Sequence, residues 1–422
     1  MAAGIWNGVW TLLFGLAAVF LVLRWLAVCG LPLGGYFAAP APRHRGEVPG
    51  RGELVRVFWI ALAFRLVWAL LLFRVYQWVW EIDLSQLPSL WIRWDAQHYL
   101  KLAELGYSGY TEGGQHLFLV FFPLYVWLVR ALGLVLPDLT LCGLAVSWLC
   151  FAWGSVYFYR LICGDYGSAT AQRALLLLWA YPFSFFFGGI MTESLFFLTT
   201  AAAFSHIRGH RWGRAALWGV LAALTRMQGL LLVGAAVAEL CQEEQPFLSG
   251  NRQGRREVFR KLPLLFAPVL GSLGYLLLNW QVAGDPFAFT VMERHWSQGF
   301  QWFPKVLWYV GKNAMTWTRR TARWEIWVPE LILFPLFALL LAASWRRHRA
   351  MYPLYAFVYL ILNYSLSWLL SAGRYLACGL PFFLFAADWL EERPVLTALL
   401  TGGMFLLQGV FCFRYFCWGQ VM

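Results

Sequence analysis

The sequence is poor in charge. Only 13% of its 422 residues are Asp, Glu, Lys or Arg, about half the usual share of a soluble chain. It therefore lacks the polar surface that a water-soluble protein of this length needs. Acidic residues are the scarcer sign, 21 against 33 basic. The net charge of +12 does not point to nucleic acid, because the basic residues fall in short clusters between apolar runs, as the positive-inside bias of membrane proteins places them. Cysteine supplies no disulfide framework. No CxxC occurs among the eight cysteines, and Cys29, Cys150, Cys163, Cys241 and Cys378 lie in or beside apolar segments, where they read as small buried hydrophobes. There is no GxxxxGK[ST] loop, no HExxH, no Cys/His zinc spacing and no GxSxG elbow. Primary ATP-driven pumping and zinc proteolysis lose support accordingly. No internal repeat or low-complexity segment stands out.

What the sequence does have is apolar length. Hydrophobic residues make up 61% of it, in runs that approach or exceed the roughly 20 residues needed to cross a bilayer. Only helices or a closed barrel satisfy the backbone in hydrocarbon, and the Leu/Ala/Val/Phe runs lack the alternation of barrel strands. The expected fold class is an all-α polytopic membrane protein. The 26 Trp and 18 Tyr suit belts at the two interfaces. The first run, Ile5 to Leu33, has no basic leader and is long for a signal-peptide core, so it reads as a retained span.

Four arginine-rich clusters set the orientation: Arg43, Arg45, Arg51 and Arg56; Arg208, Arg211 and Arg214; Arg252, Arg255, Arg256, Arg260 and Lys261; and Arg346, Arg347 and Arg349. All are expected in the cytoplasm. Spans then fall near 5–29, 57–80, 140–162, 173–189, 192–207, 213–226, 228–241, 262–282, 329–345, 350–370, 375–390 and 394–413. That gives about twelve, several of them short, in a single transmembrane domain over 1–422 with both termini outside. Residues 81–139 and 284–328 become long non-cytoplasmic loops, 121–136 an interfacial helix within the first of them, and 242–261 a polar, mobile cytoplasmic loop. Three tight turns on the outer side place a charge between apolar runs: Met191–Ser194, Thr225–Gln228 and Ala372–Tyr375. Charges at the membrane edge are expensive, so each turn is a candidate for function.

The strongest local signal is Arg93-Trp94-Asp95-Ala96-Gln97-His98-Tyr99. On a helix, Asp95, His98 and Tyr99 share a face, and a carboxylate there can act as general base toward a hydroxyl. The alternative is an interfacial helix whose charged face meets water. Glu193 reads either as a functional carboxylate or as part of a cap, with Thr192 or Ser194 capping the next helix. Arg226 and Arg374 could snorkel to the interface or grip a phosphate with their planar forks. His295 and His116 are possible ligands or proton carriers in wet loops. Arg93, Trp94, His98, Tyr99, Gln228, His295 and Tyr375 complete the set of expected substrate-binding residues.

In order along the chain, Trp94-Asp95 with Tyr99, Gly106-Tyr107, Phe121-Phe122-Pro123-Leu124-Tyr125, Thr192-Glu193-Ser194, Thr225-Arg226 with Gly229, and Arg374-Tyr375 resemble the motifs of the PIG-V-type mannosyltransferases. Eukaryotic members of that family add the second mannose of the glycosylphosphatidylinositol anchor, and the family has bacterial relatives. The likeness runs over about residues 57–390, leaving 5–29 as an additional N-terminal span. It implies a GT-C glycosyltransferase fold that takes a sugar, here mannose, from a polyprenyl-phosphate carrier and inverts the anomeric centre. The acceptor would be a lipid-linked glycan on the non-cytoplasmic side. Asp95 matches the presumed catalytic base, with Glu193 as a second catalytic candidate and Arg226 and Arg374 around the donor phosphate. No essential metal or cofactor is expected. Compact loops, and the absence of an Asn-x-Ser/Thr site outside the apolar runs (Asn363-Tyr364-Ser365 fits the pattern but lies within one), favour a bacterial relative in the cytoplasmic membrane over one in the endoplasmic reticulum. The rival class is a transporter or flippase for a lipid-linked or anionic substrate; the missing repeat and the position of the charges at span ends weigh against it.

Overall fold

The computed structural model describes residues 2–37 and 46–421; Arg43 and Arg45 of the first basic cluster lie outside the described residues. Among these residues the regular structure is helical, with no strand. The main helices are α1 (Ala2–Val28), α2 (Arg51–Trp80), α3 (Asp95–Gly109), α4 (Pro123–Gly133), α5 (Leu139–Tyr166), α6 (Ser168–Ala180), α7 (Glu193–Arg208), α8 (Trp212–Thr225), α9 (Leu231–Glu244), α10 (Arg252–Leu265), α11 (Pro268–Ala283), α12 (Phe303–Thr316), α13 (Val328–Ser344), α14 (Met351–Asn363), α15 (Ala372–Ala377), α16 (Leu380–Trp389) and α17 (Pro394–Phe416).

Among the described residues, six helical stretches are long and apolar enough to cross a membrane: α1, α2, α5, α10 running into α11, the stretch Arg320–Ser344 that contains α13, and α17. Their outer faces are apolar and exposed, as at Leu12, Trp59, Val67, Leu270, Leu339 and Leu406; that is the surface lipid would cover. The other expected spans are shorter helices. The run 173–189 stops as a helix at Ala180, just before Pro182, and continues as a 3-10 turn. The run 350–370 ends at Asn363; residues 365–367 instead pair by backbone hydrogen bonds with 299–301. The polar segment 242–261 is not simply a loop, because α10 begins at Arg252 and runs almost directly into α11. Asn251 starts it by accepting the Gly254 N–H.

At the centre stands α7. Every residue from Glu193 to Ile207 is buried, and α5, α8 and α9 pack around it. Its two ends, about 24 Å apart for 16 residues, carry different charge clusters. At the C-terminal end Arg208 binds Asp165 at 2.8 Å, and Arg349 binds Glu239 at 2.8 Å and Glu243 at 3.1 Å. Lys261 of the third basic cluster bonds Glu244 at 2.7 Å, in the same C-terminal stretch of α9. Residues from the second, third and fourth basic clusters thus gather toward one end of the bundle. Here α1 is tied in by Arg24, whose guanidinium takes the backbone carbonyls of Trp345, Arg346 and His348 at the end of α13, a favourable place for a cation. The other end of α7 begins with Glu193.

Candidate functional site

At that other end four charged side chains from four separate segments meet. Glu193 is the first residue of α7 and its side chain is 0% exposed. One of its oxygens, Oε1, accepts from Arg226 Nη2 and from Arg374 Nε, both in close contact. Arg374 reaches on with Nη1 to Asp95 Oδ2 at 2.7 Å, and Arg226 Nε donates to Thr192 Oγ1 at 2.8 Å. The chain Arg226–Glu193–Arg374–Asp95 is buried at its middle and opens only at Asp95, whose side chain is 39% exposed. Burying two guanidiniums and a carboxylate is tolerable only because they pair.

Local packing delivers each member. Asp95 occupies the first turn of α3, where the helix end attracts negative charge. The residue before it, Trp94, holds φ 49°, ψ −123°, a conformation that costs a non-glycine residue energy and persists only where neighbours enforce it. Arg226 sits in extended backbone between α8 and a short 3-10 turn. A Cβ at Gly229 would lie 2.4 Å from the Ala222 and Ala223 backbone, so only glycine lets this turn fold against α8. A Cβ at Gly373 would likewise lie 2.4 Å from the Phe183 ring, which fixes the approach of the Arg374 turn. Rings line the cations: Phe186 is 5.2 Å from the Arg374 guanidinium, and Tyr375 is 5.6 Å from that of Arg226.

The readings left open by the sequence resolve in places. No cap forms at the start of α7: Thr192 is taken by Arg226, and Ser194 Oγ donates to the Phe187 carbonyl at 2.6 Å. Arg226 and Arg374 do not snorkel to water; both are buried. Tyr99 is buried beside the cluster, its ring against Phe121 and Tyr125. His98 does not join: its Nδ1 meets the Tyr110 hydroxyl at 2.9 Å and its ring stacks on Phe118 at 4.4 Å. Burial lowers the His98 pKa below the ordinary imidazole value, more than nearby Asp95 raises it. Gln228 donates to Asn363 Oδ1 at 3.1 Å. Arg93 and Trp94, expected at the substrate, commit their polar atoms elsewhere: Arg93 Nε donates to the Phe416 carbonyl at 3.0 Å and Trp94 Nε1 to the Gly419 carbonyl at 3.2 Å.

His295 lies apart from the charged chain, on the wall of a cavity of about 650 Å³ together with His116, Arg294, Gln115, Leu117 and Met292. Next to His295, ring contacts lead toward α3. Trp296 packs toward Phe118, and Phe118 stacks on His98, one turn along α3 from Asp95.

Several buried charges escaped the sequence reading, Glu330 and Arg65 among them. Glu330 accepts the Ala372 N–H at 3.2 Å and so anchors the turn that carries Arg374. Arg65, in mid-α2, lies over the Phe151 ring at 3.7 Å. Each was visible as a lone charge inside an apolar run, the pattern that should have flagged it. Among the described residues, His210, Glu239 and Glu243 have spacing that could hold a metal, but they lie at the opposite end of α7 and their carboxylates already carry Arg349.

Residues 78–281 match the family described as Mannosyltransferase (PIG-V). Asp95, Glu193 and Arg226 lie inside the matched stretch and Arg374 beyond it. No curated protein and no solved structure matches the chain.

Proposed function

We propose that this multi-pass membrane protein, which over residues 78–281 belongs to the PIG-V mannosyltransferase family, transfers mannose from a polyprenyl-phosphate carrier to a lipid-linked glycan on the non-cytoplasmic face, with inversion at the anomeric carbon. The observation that carries the reading is the ion-pair chain. It joins a half-exposed carboxylate to two buried guanidiniums at one end of a helix whose other end gathers basic residues of the kind found on the cytoplasmic side. In the bacterial cytoplasmic membrane that would place Asp95 outside.

The reaction needs a base at the acceptor hydroxyl and positive charge at the leaving phosphate. Asp95 is the base: its carboxylate takes the hydroxyl proton as the acceptor oxygen bonds to the anomeric carbon. The bond from that carbon to the phosphate oxygen breaks, its electron pair goes to the phosphate, and the phosphate gains a negative charge. Arg374 and Arg226 face that charge. Arg374 couples the two events, because it pairs with Asp95 before transfer, and the neutralised Asp95 then releases its hold as the phosphate becomes more negative. Glu193, without exposure and between both guanidiniums, holds the forks in place. This revises its expected part as an alternative base. The cavity at His116, Arg294 and His295 gives a polar acceptor head group an approach from the aqueous side. A monophosphate met by two arginines calls for no metal in this scheme.

The direct test is incubation of purified protein with polyprenyl-phosphate mannose and a panel of lipid-linked acceptors, reading released polyprenyl phosphate and mannosylated product. Acceptor-dependent release supports the reading. Net movement of a lipid-linked substrate across proteoliposomes without product would favour the transporter class instead.

A further inference from the structure

The end of α17 and the residues after it wrap onto the segment that presents Asp95. Tyr415 and Phe416 are buried against Trp91, and the Tyr415 hydroxyl meets the Arg93 carbonyl at 3.3 Å. Arg93 and Trp94, the two residues before Asp95, donate side-chain hydrogen bonds to the carbonyls of Phe416 and Gly419. The Arg93 guanidinium lies 4.7 Å from the Trp418 ring, and the Trp94 and Trp418 rings cross at 5.8 Å. Glu325, from the second outer loop, closes the arrangement: it accepts the Gln420 N–H at 2.7 Å and pairs with Arg414. The neighbours that hold Trp94 at positive φ are therefore largely this stretch. Trp418 itself has φ 60° just past the end of α17, as a residue closing a helix end often does.

We infer that residues 414–421 are a positioning element for the transfer reaction, setting the backbone at Trp94 and thereby the place of the Asp95 carboxylate. This rests on the assignment of Asp95 as the base. The physical argument is one of placement. A strained residue reverts to a commoner conformation when its restraints go, and Asp95 follows it directly. A shift of about 1 Å in a reacting group can cost on the order of 100-fold in rate. None of these contacts touches Arg226 or Arg374, and Glu193 holds both guanidiniums independently of them, so donor binding should hardly change.

The experiment is a double-mutant cycle between Trp418→Ala and Asp95→Asn. It uses the full-length protein, polyprenyl-phosphate mannose, and the acceptor that supports turnover in the assay above. Trp418→Ala should lower kcat by about 10- to 100-fold with the donor KM changed less than about threefold, and Trp418→Phe should recover most of it. In the Asp95→Asn background the same substitution should have less than about a threefold effect, because the group it positions is gone. Glu325→Gln, which keeps the size of the side chain and weakens its hold on Arg414 and Gln420, should show the same kcat-only loss and serves if Trp418→Ala does not fold. An unchanged kcat in Trp418→Ala or Glu325→Gln, or an equal loss in both Asp95 backgrounds, overturns the positioning role. A fully active Asp95→Asn overturns instead the base assignment on which it rests.

Discussion

Glu193→Gln separates a carboxylate that holds a site from one that does its chemistry. The side chain is 0% exposed and its Oε1 serves both Arg226 and Arg374. The amide fills the same space but leaves two guanidiniums buried side by side with no charge between them. Removing one partner of a buried pair typically costs about 3–5 kcal/mol, and here two pairs share the lost charge, so the upper part of that range is expected. Asp95 is different: its carboxylate is 39% exposed and water can replace Arg374, so its amide should cost about 1 kcal/mol or less. The assay is chemical denaturation in detergent, followed by tryptophan fluorescence, with turnover measured at a temperature where each variant is folded. The account expects Glu193→Gln to lose several times more stability than Asp95→Asn, and to lose turnover through disordered arginines and a raised donor KM. A Glu193→Gln protein as stable as the parent, with normal donor affinity and no turnover, would refute the holding role and return Glu193 to the chemistry.

Three further outcomes follow from the same geometry. Arg226→Ala and Arg374→Ala should impair donor binding or turnover, with partial recovery by lysine because the planar fork is lost; normal turnover in both would move the phosphate site elsewhere, with Arg319, Arg320 and Arg323 next in line. A cysteine placed at Glu112 should be labelled only from the non-cytoplasmic side, and labelling confined to the cytoplasmic side would invert the topology. Burial lowers the His98 pKa, so below about pH 6.5, the ordinary imidazole value, the unfolded chain binds this proton more readily than the folded one. Stability from this group is complete above that pH and declines as pH falls toward the folded-state value. Denaturation midpoints across pH 5–8 should show that decline and lose part of it in His98→Gln; an identical pH slope in the variant would contradict it.

How much could be read from the sequence follows from what each feature depends on. Apolar run length is a local property, and helices lie under the expected spans, six stretches of them long enough to cross a membrane among the described residues. Isolated charges between apolar runs are local too, and that pattern nominated Asp95, Glu193, Arg226 and Arg374. That the four meet is not local: positions 95 and 374 are 279 residues apart in the chain and come together through tertiary packing. The cap that Thr192 could have supplied does not form, because a distant guanidinium, Arg226, takes the hydroxyl. The break at Asn363 and the helical start at Arg252 were hidden for a similar reason, since tertiary pairing rather than composition decides where those segments stop and start. The hold of residues 414–421 on Trp94 had no signature at all, because it is made largely to backbone carbonyls, which every residue carries. Arg65 and Glu330 were legible, as lone charges in apolar runs, and were passed over.

The measurement that bears most directly on the central claim is the turnover of Asp95→Asn with polyprenyl-phosphate mannose as donor. The amide keeps the size of the side chain and can still bond to its surroundings, but it cannot take the acceptor proton. The account predicts a folded protein with near-normal donor affinity and turnover lowered by about 10²–10⁴-fold, the usual range for a lost general base. Turnover within a few-fold of the parent, in a variant shown to be folded and to bind donor, would contradict it.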